Sequence, residues 1–256
     1  MVCSLKTEEF CLAYSESQVD QPVLWENHCH ARFEIIAVAE GDINVILEGK
    51  DCRLRENRLI LIPPLSYHSV VANEKGIYRR VTASFDRSAI PQVLRRELAG
   101  GEIHTATLTR GQMAELESLC RKEDPLLYAP LAQSLMVQIF YKLQKAEELP
   151  AGSGADEFLE KSIRYIDSHL KEKILLDDLA AHTSRSKSSF CHLFEEKMNI
   201  SPKQYILQKK LALANKLISE GVMPTVAAAQ IGYDNYSNFY RLYRRQFGQS
   251  PTRRTN

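Results

Sequence analysis

The sequence predicts an α+β chain of more than one domain, strand-rich in front and all-helical behind. Three observations predict it. Short apolar or alternating runs bounded by polar turns crowd residues 28–85. A run of helix breakers, EELPAGSGADE, interrupts the chain at 147–157. Beyond it apolar residues recur at spacings of three and four, and one stretch repeats itself. A length of 256 residues suits two domains of ordinary size.

Bulk properties exclude several classes. Hydrophobic residues at 44% and charged residues at 25% are in globular proportion. No run approaches the ~20 apolar residues of a membrane span, so no membrane partner is expected. The opening MVCSLKTEEFCLAYSE has no basic segment followed by an apolar one, so no secretory leader is expected. Cysteines at 3, 11, 29, 52, 120 and 191 include no CxxC pair and read as reduced thiols of a cytoplasmic protein. Charge is uneven: residues 1–154 hold 17 Lys and Arg against 21 Asp and Glu, while residues 155–256 hold 16 against 11. The basic back half suits a polyanion.

In the front half, INVIL at 43–47, RLILI at 58–62 and IYRRVTASF at 77–85 read as strands. In the last, Ile77, Arg79, Val81, Ala83 and Phe85 alternate with Tyr78, Arg80, Thr82 and Ser84, so the two sets face opposite ways. Such strands predict a sandwich or small barrel over about 20–90. Residues 111–146 change period. Met113, Leu116 and Cys120, then Leu131, Leu135, Ile139 and Leu143, form two amphipathic helices. They suit packing on the sheet or against a second copy of the chain.

The back half predicts helices at 157–170, 176–183, 187–198, 202–220, 225–231 and 236–247. Ser201-Pro202 is a start signal; Gly221, Gly232 and Gly248 are stop signals. The segments LDDLAAHTSRSKSSFCHLFEEKM and TVAAAQIGYDNYSNFYRLYRRQF each give a short helix, a tight turn and a longer helix. Phe190 and Phe194, then Phe239, Tyr243 and Phe247, stripe one face of the longer helices. The opposite stripes are polar: Lys187, Ser188, Cys191 and His192 on one; Tyr236, Ser237, Tyr240, Arg241 and Arg244 on the other. A helix lying in a major groove needs such a stripe. The helix between the units is about 28 Å long, which suits two helices entering successive grooves. Lys203, Lys209, Lys210, Arg244, Arg245, Arg253 and Arg254 are the phosphate candidates.

At these residues the chain resembles a known family. The run Ala229-x2-Gly232-Tyr233-x5-Phe239-x3-Tyr243-x4-Gly248-x2-Pro251 is similar to the signature of the AraC/XylS transcriptional regulators, and Ser186, Phe190, Phe194, Ser201-Pro202 and Tyr205 match its first unit. The resemblance implies a DNA-binding domain whose third and sixth helices read bases, through Lys187, Ser188, Cys191, His192, Tyr236, Ser237, Tyr240 and Arg241. The chain departs from the pattern at His192 and Lys210, where Arg is common, and at Ala227, where an acid is common. Neither His nor Lys copies the bidentate grip of Arg, so the firmer readout is expected from Arg241.

In the front half, His28-Cys29-His30-x3-Glu34-x6-Gly41 followed by Pro63-x4-His68 resembles the two-part cupin pattern. It implies a cupin-like β-barrel and places His28, His30, Glu34 and His68 together, with Arg32, Tyr67 and Arg80 as further lining. A small-molecule effector pocket is the preferred reading, with no cofactor and no metal assigned. A metal-sensing or redox-sensing regulator, through Cys29, and a metal-dependent cupin enzyme are the alternatives. No GxSxG, P-loop or GxGxxG supports an enzyme.

The reading is therefore α+β multidomain: an N-terminal cupin-like β-barrel with helices (1–146, barrel about 20–90, helices about 111–146), a linker at 147–156, and a C-terminal all-α double helix-turn-helix domain at 157–256. The expected partners are double-stranded promoter or operator DNA, a small-molecule effector, a second copy in a homodimer, and RNA polymerase for an activator.

Overall fold

The computed structural model describes residues 2–7, 10–25, 27–98, 103–122, 124–145 and 156–252. The breaker run at 147–157 lies almost wholly outside them, as do Arg253 and Arg254.

The front half is built from β1 (Val2–Lys6), β2 (Phe10–Val19), β3 (Val23–Leu24), β4 (Phe33–Glu40), β5 (Ile43–Leu47), β6 (Lys50–Leu54), β7 (Arg58–Ile62), β8 (His68–Ala72), β9 (Gly76–Phe85), a short α1 (Arg95–Leu98), β10 (His104–Thr107), α2 (Arg110–Cys120) and α3 (Pro125–Gln144). Two antiparallel sheets result, one in the order β1-β2-β9-β4-β7-β10, the other β3-β8-β5-β6.

The sheets stay open, which corrects the expected cupin-like barrel. Among the described residues no ladder joins one sheet to the other. The larger sheet is widened at both edges by strands outside 20–90: β1 and β2 on one side, β10 on the other. Helices α2 and α3 pack beside those edge strands, so the edges are covered without closure.

The larger sheet buries both faces. Leu12, Ile35, Ala37, Leu59, Leu61, Val81 and Phe85 meet Leu116 and Leu119 of α2 and Leu135, Ile139, Phe140 and Leu143 of α3. The Phe85 and Phe140 rings meet edge-on at 5.2 Å. On the other face Ile36, Val38, Ile60 and Ile62 meet Ile43, Val45, Leu54 and Val70 of the smaller sheet. The space between the sheets is filled by these side chains. Leu131 departs from its expected stripe: it is 47% exposed and points away from the sheet with Leu127.

The back half holds α4 (Glu157–Ser168), α5 (Leu176–His182), α6 (Lys187–Met198), α7 (Pro202–Ser219), α8 (Pro224–Gln230) and α9 (Tyr236–Phe247). Side-chain oxygens of Asp156, Ser186, Ser201 and Asn235 cap α4, α6, α7 and α9, each accepting from a backbone N–H in the first turn. Gly248, with φ 68°, stops α9. No helix among the described residues is long and apolar enough to cross a membrane.

Candidate DNA-reading helices and effector cluster

Each helix-turn-helix unit follows from its buried stripe. In the first, Leu179 and Ala180 of α5 pack with Phe190 and Phe194 of α6 around Tyr205 of α7. In the second, Ala228 of α8 packs with Ile231, Phe239 and Tyr243 against Leu211 and Ala214 of α7. Burying these faces leaves the opposite faces of α6 and α9 outward.

On α6, Lys187, Ser188 and His192 are exposed, His192 at 82%. Lys187 Nζ lies 2.8 Å from Asp177 Oδ2, an exposed pair that holds it at the start of α6. Cys191 is half-buried against the unit's core. On α9, Ser237, Arg241 and Arg244 are exposed while Tyr236 and Tyr240 are half-buried. Arg241 Nη2 sits 3.4 Å from Asn238 Oδ1, and the Arg244 guanidinium lies 5.9 Å from the Tyr240 ring centre.

Two of the phosphate candidates are misassigned. Lys209 and Lys210 are buried, and both serve the protein's own structure. Lys209 is paired with Glu48 and Asp167. Lys210 donates to the carbonyl oxygens of Glu172 and Ile231, and burial lowers the pKa of its ammonium. The sequence hides this because Lys209 lies four residues beyond Tyr205, on the buried stripe of α7.

The front cluster forms between the sheets, at one end. Glu34 lies on β4 and His68 opens β8; His28 pairs with His68 through reciprocal backbone hydrogen bonds, both 3.0 Å. Possible ligand atoms of His28, His30, Glu34 and His68 lie within 4.8 Å of one another. His30 Nε2 is 2.9 Å and His68 Nε2 3.1 Å from Glu34 Oε2. The other ring nitrogens face the backbone carbonyls of Arg32 and Ser66, at 2.8 and 3.0 Å. Burial works against the Glu34 carboxylate, but the hydrogen bonds from His30 and His68 outweigh it and hold its pKa well below the usual range.

This arrangement has an acceptor surplus. A carbonyl accepts only, and so does an ionised carboxylate, yet a neutral imidazole has one N–H for the two. A metal ion bound by the two Nε2 atoms and the Glu34 carboxylate would leave each Nδ1–H for its carbonyl. Three imidazoles with one carboxylate suit a divalent transition metal, and the two carbonyls would fix the ring orientations.

The side chains of the other residues expected to line the pocket make their contacts elsewhere. The Arg80 guanidinium lies 5.6 Å from the centre of the Trp25 ring, and Arg32 lies 3.5 Å from Asp86. Tyr67 turns away from its neighbour His68 and meets Tyr205 of α7. Burial pushes the Cys29 thiol up to about 12, which leaves almost no thiolate for redox sensing. Glu48, in the EGKD turn, escaped the sequence reading: a polar tip pattern does not show what it touches.

The AraC-like ligand binding domain family matches residues 12–152, and a helix-turn-helix domain family matches residues 179–255. The probable transcriptional regulator LumQ of Photobacterium leiognathi is 41% identical over 90 residues, 35% of this chain and 36% of that protein. The HTH-type transcriptional regulator YobQ of Bacillus subtilis (strain 168) is 26% identical over 229 residues, 89% of this chain and 88% of that protein. YbfI of the same organism, also an HTH-type transcriptional regulator, is 31% identical over 232 residues, 83% of this chain and 80% of that protein. These relatives are regulators, not enzymes. The chain belongs to the AraC/XylS family, as a DNA-binding transcriptional regulator with a ligand-binding domain in front of a tandem helix-turn-helix.

Proposed function

We propose that the protein is a sequence-specific regulator whose N-terminal domain (1–146) takes a small effector at His28, His30, Glu34 and His68. Its C-terminal domain (157–256) reads two DNA elements through Lys187, Ser188, Cys191 and His192 of α6 and Tyr236, Ser237, Tyr240, Arg241 and Arg244 of α9. The chain acts as a cytoplasmic homodimer, joined through the outer face of α3. The observation that carries the DNA reading is the pair of capped helices with one buried and one outward polar face, spaced by an 18-residue helix about 27 Å long. Selection of random duplexes by the purified chain tests it. Two short elements about one helical turn apart are expected; binding without any enrichment would defeat the reading.

A second reading of the effector is favoured by the four-residue cluster: the effector is a divalent metal ion. Equilibrium dialysis against Zn²⁺ and Mn²⁺ is expected to load one ion per chain, and Glu34→Gln and His30→Ala to abolish uptake. Equal uptake by the variants would place the ion elsewhere.

A further inference from the structure

A cavity of about 380 Å³ opens between the two helix-turn-helix units. Its walls are the α4–α5 loop at Lys173 and Ile174, the turn of the second unit at Tyr233, and α7. The α7 wall is one stripe. Lys203, Ile206, Leu207 and Lys210 follow at spacings of three and four, so an ammonium stands at each end of an apolar middle. None of the walls belongs to the histidine cluster of the front half.

The charges around this cavity do not balance. Lys187, at its rim, is paired with Asp177 at 2.8 Å. Lys173 and Lys203 are exposed and make no ion pair among the described residues. Lys210 is 6% exposed, and two of its three N–H bonds go to the carbonyl oxygens of Glu172 and Ile231. The third has no acceptor among the described residues, and no carboxylate pairs with the charge. Lys209, the buried neighbour, has two carboxylates. Burial lowers the Lys210 pKa, and the more distant Glu172 charge offsets this only in part. A buried cation without a counter-ion costs stability that a bound anion recovers.

We infer that this cavity is a second ligand site, in the DNA-binding half, for a small organic monoanion with an apolar body. Its carboxylate meets the remaining donor of Lys210, its body lies along Ile206, Leu207 and Tyr233, and Lys173 and Lys203 supply an attractive field from the rim. The volume is at the small end of ligand pockets, which suits one ring system and not a nucleotide. A duplex phosphate is the poorer occupant: its neighbours in the strand hold it at the surface, while Lys210 is buried beside apolar side chains. Lys187 belongs both to this rim and to the outward stripe of α6, so an anion bound here opposes the duplex. That last step rests on DNA binding by the C-terminal half; the site itself does not.

The full-length protein, carbon-13-labelled at its isoleucine methyls, is titrated with 2-naphthoate, with the uncharged 2-naphthylmethanol and inorganic phosphate as controls. Naphthoate is expected to shift the methyls of Ile174 and Ile206 with a Kd of about 1 mM or tighter, and to leave those of Ile60 and Ile62, between the front sheets, unmoved. The alcohol is expected to bind about tenfold more weakly. Lys173→Gln with Lys203→Gln, both at exposed positions, should weaken naphthoate about fivefold without altering the fold. Saturating naphthoate should weaken wild-type binding to a random-sequence duplex about fivefold. Unmoved Ile174 and Ile206 methyls would overturn the proposal, as would equal binding of the alcohol. Shifts given equally by phosphate, or by the duplex and not by naphthoate, would overturn it in favour of a DNA phosphate. Methyl shifts with unchanged duplex affinity would keep the site and overturn its opposition to DNA.

Discussion

The Lys210 ammonium donates a hydrogen bond to the carbonyl oxygen of Ile231 at 2.7 Å, and it also reaches that of Glu172. One side chain thus ties the connecting helix to the turn of the second unit and to the α4–α5 loop that leads into the first. Lys210→Met would leave two carbonyls without their donor, and a loss of ~2–3 kcal/mol in urea unfolding is expected. Lys210→Arg, which keeps donors, should lose less. Equal losses would mean that the stem, not the ammonium, makes the tie.

Gly232 stands beside that tie. Its φ of 77° and the Glu172 backbone, 3.0 Å from where a Cβ would lie, both exclude a side chain. Gly232→Ala should cost ~2–3 kcal/mol, since neighbouring backbone cannot swing aside. Gly221, with φ 93° and open space, is the control and should lose ~1 kcal/mol. Equal losses at the two sites would show that contact with Glu172 adds nothing.

Arg241 and Arg244 lie one turn apart on α9, and they are expected to differ. Arg241→Ala should cost ~1–3 kcal/mol against a selected duplex and relax preference at one base position. Arg244→Ala should weaken all sequences alike and flatten the salt dependence. If both act uniformly in a binding titration over base-substituted duplexes, α9 lies in the groove differently.

Acid should reach the smaller sheet through Asp42. Hydrogen bonds from Arg53, then Asn73 and Arg55, hold its carboxyl down to about 2 against the opposing effect of burial. A folded pKa below the unfolded ~3.9 gives stability that is full above the unfolded value and lost as pH falls towards the folded one. Asp42→Asn should therefore lower Tm at pH 6 and flatten the fall in Tm between pH 4 and 2. An unchanged acid limb would assign that loss to other groups.

On α3, Leu127 is 66% and Leu131 47% exposed, one turn apart on the face turned from the sheet. Leu127→Lys with Leu131→Lys should convert a dimer to monomer in sedimentation equilibrium while far-UV circular dichroism stays unchanged. A dimer that survives both charges joins through another face.

The helices of the back half were legible almost to the residue, because their ends are written in local chemistry. Ser186, Ser201 and Asn235 cap as their types require, and Gly248 stops as glycine does. The sheets were less legible. Alternation tells that a strand has two faces but not which strand will lie beside it. The pairing of β2 with β9 joins Phe10 to Phe85, and nothing local announces it. The four cluster residues were named from the resemblance to the cupin pattern, and their possible ligand atoms lie within 4.8 Å of one another. Lys209 and Glu48 were not placed, since their meeting depends on how one half is laid on the other.

The shared helix α7 carries a consequence for the DNA itself. Its N-terminal turns belong to the first unit, Lys210 braces its middle, and Asn215 accepts the Tyr243 hydroxyl of the second unit at 2.5 Å. A rod braced at so many points has little give. Where two sequence elements are not phased to match it, the duplex must bend or twist, and its elastic energy then discriminates. Base steps between the elements that no side chain touches would then govern occupancy through their stiffness, flexible pyrimidine–purine steps being favoured.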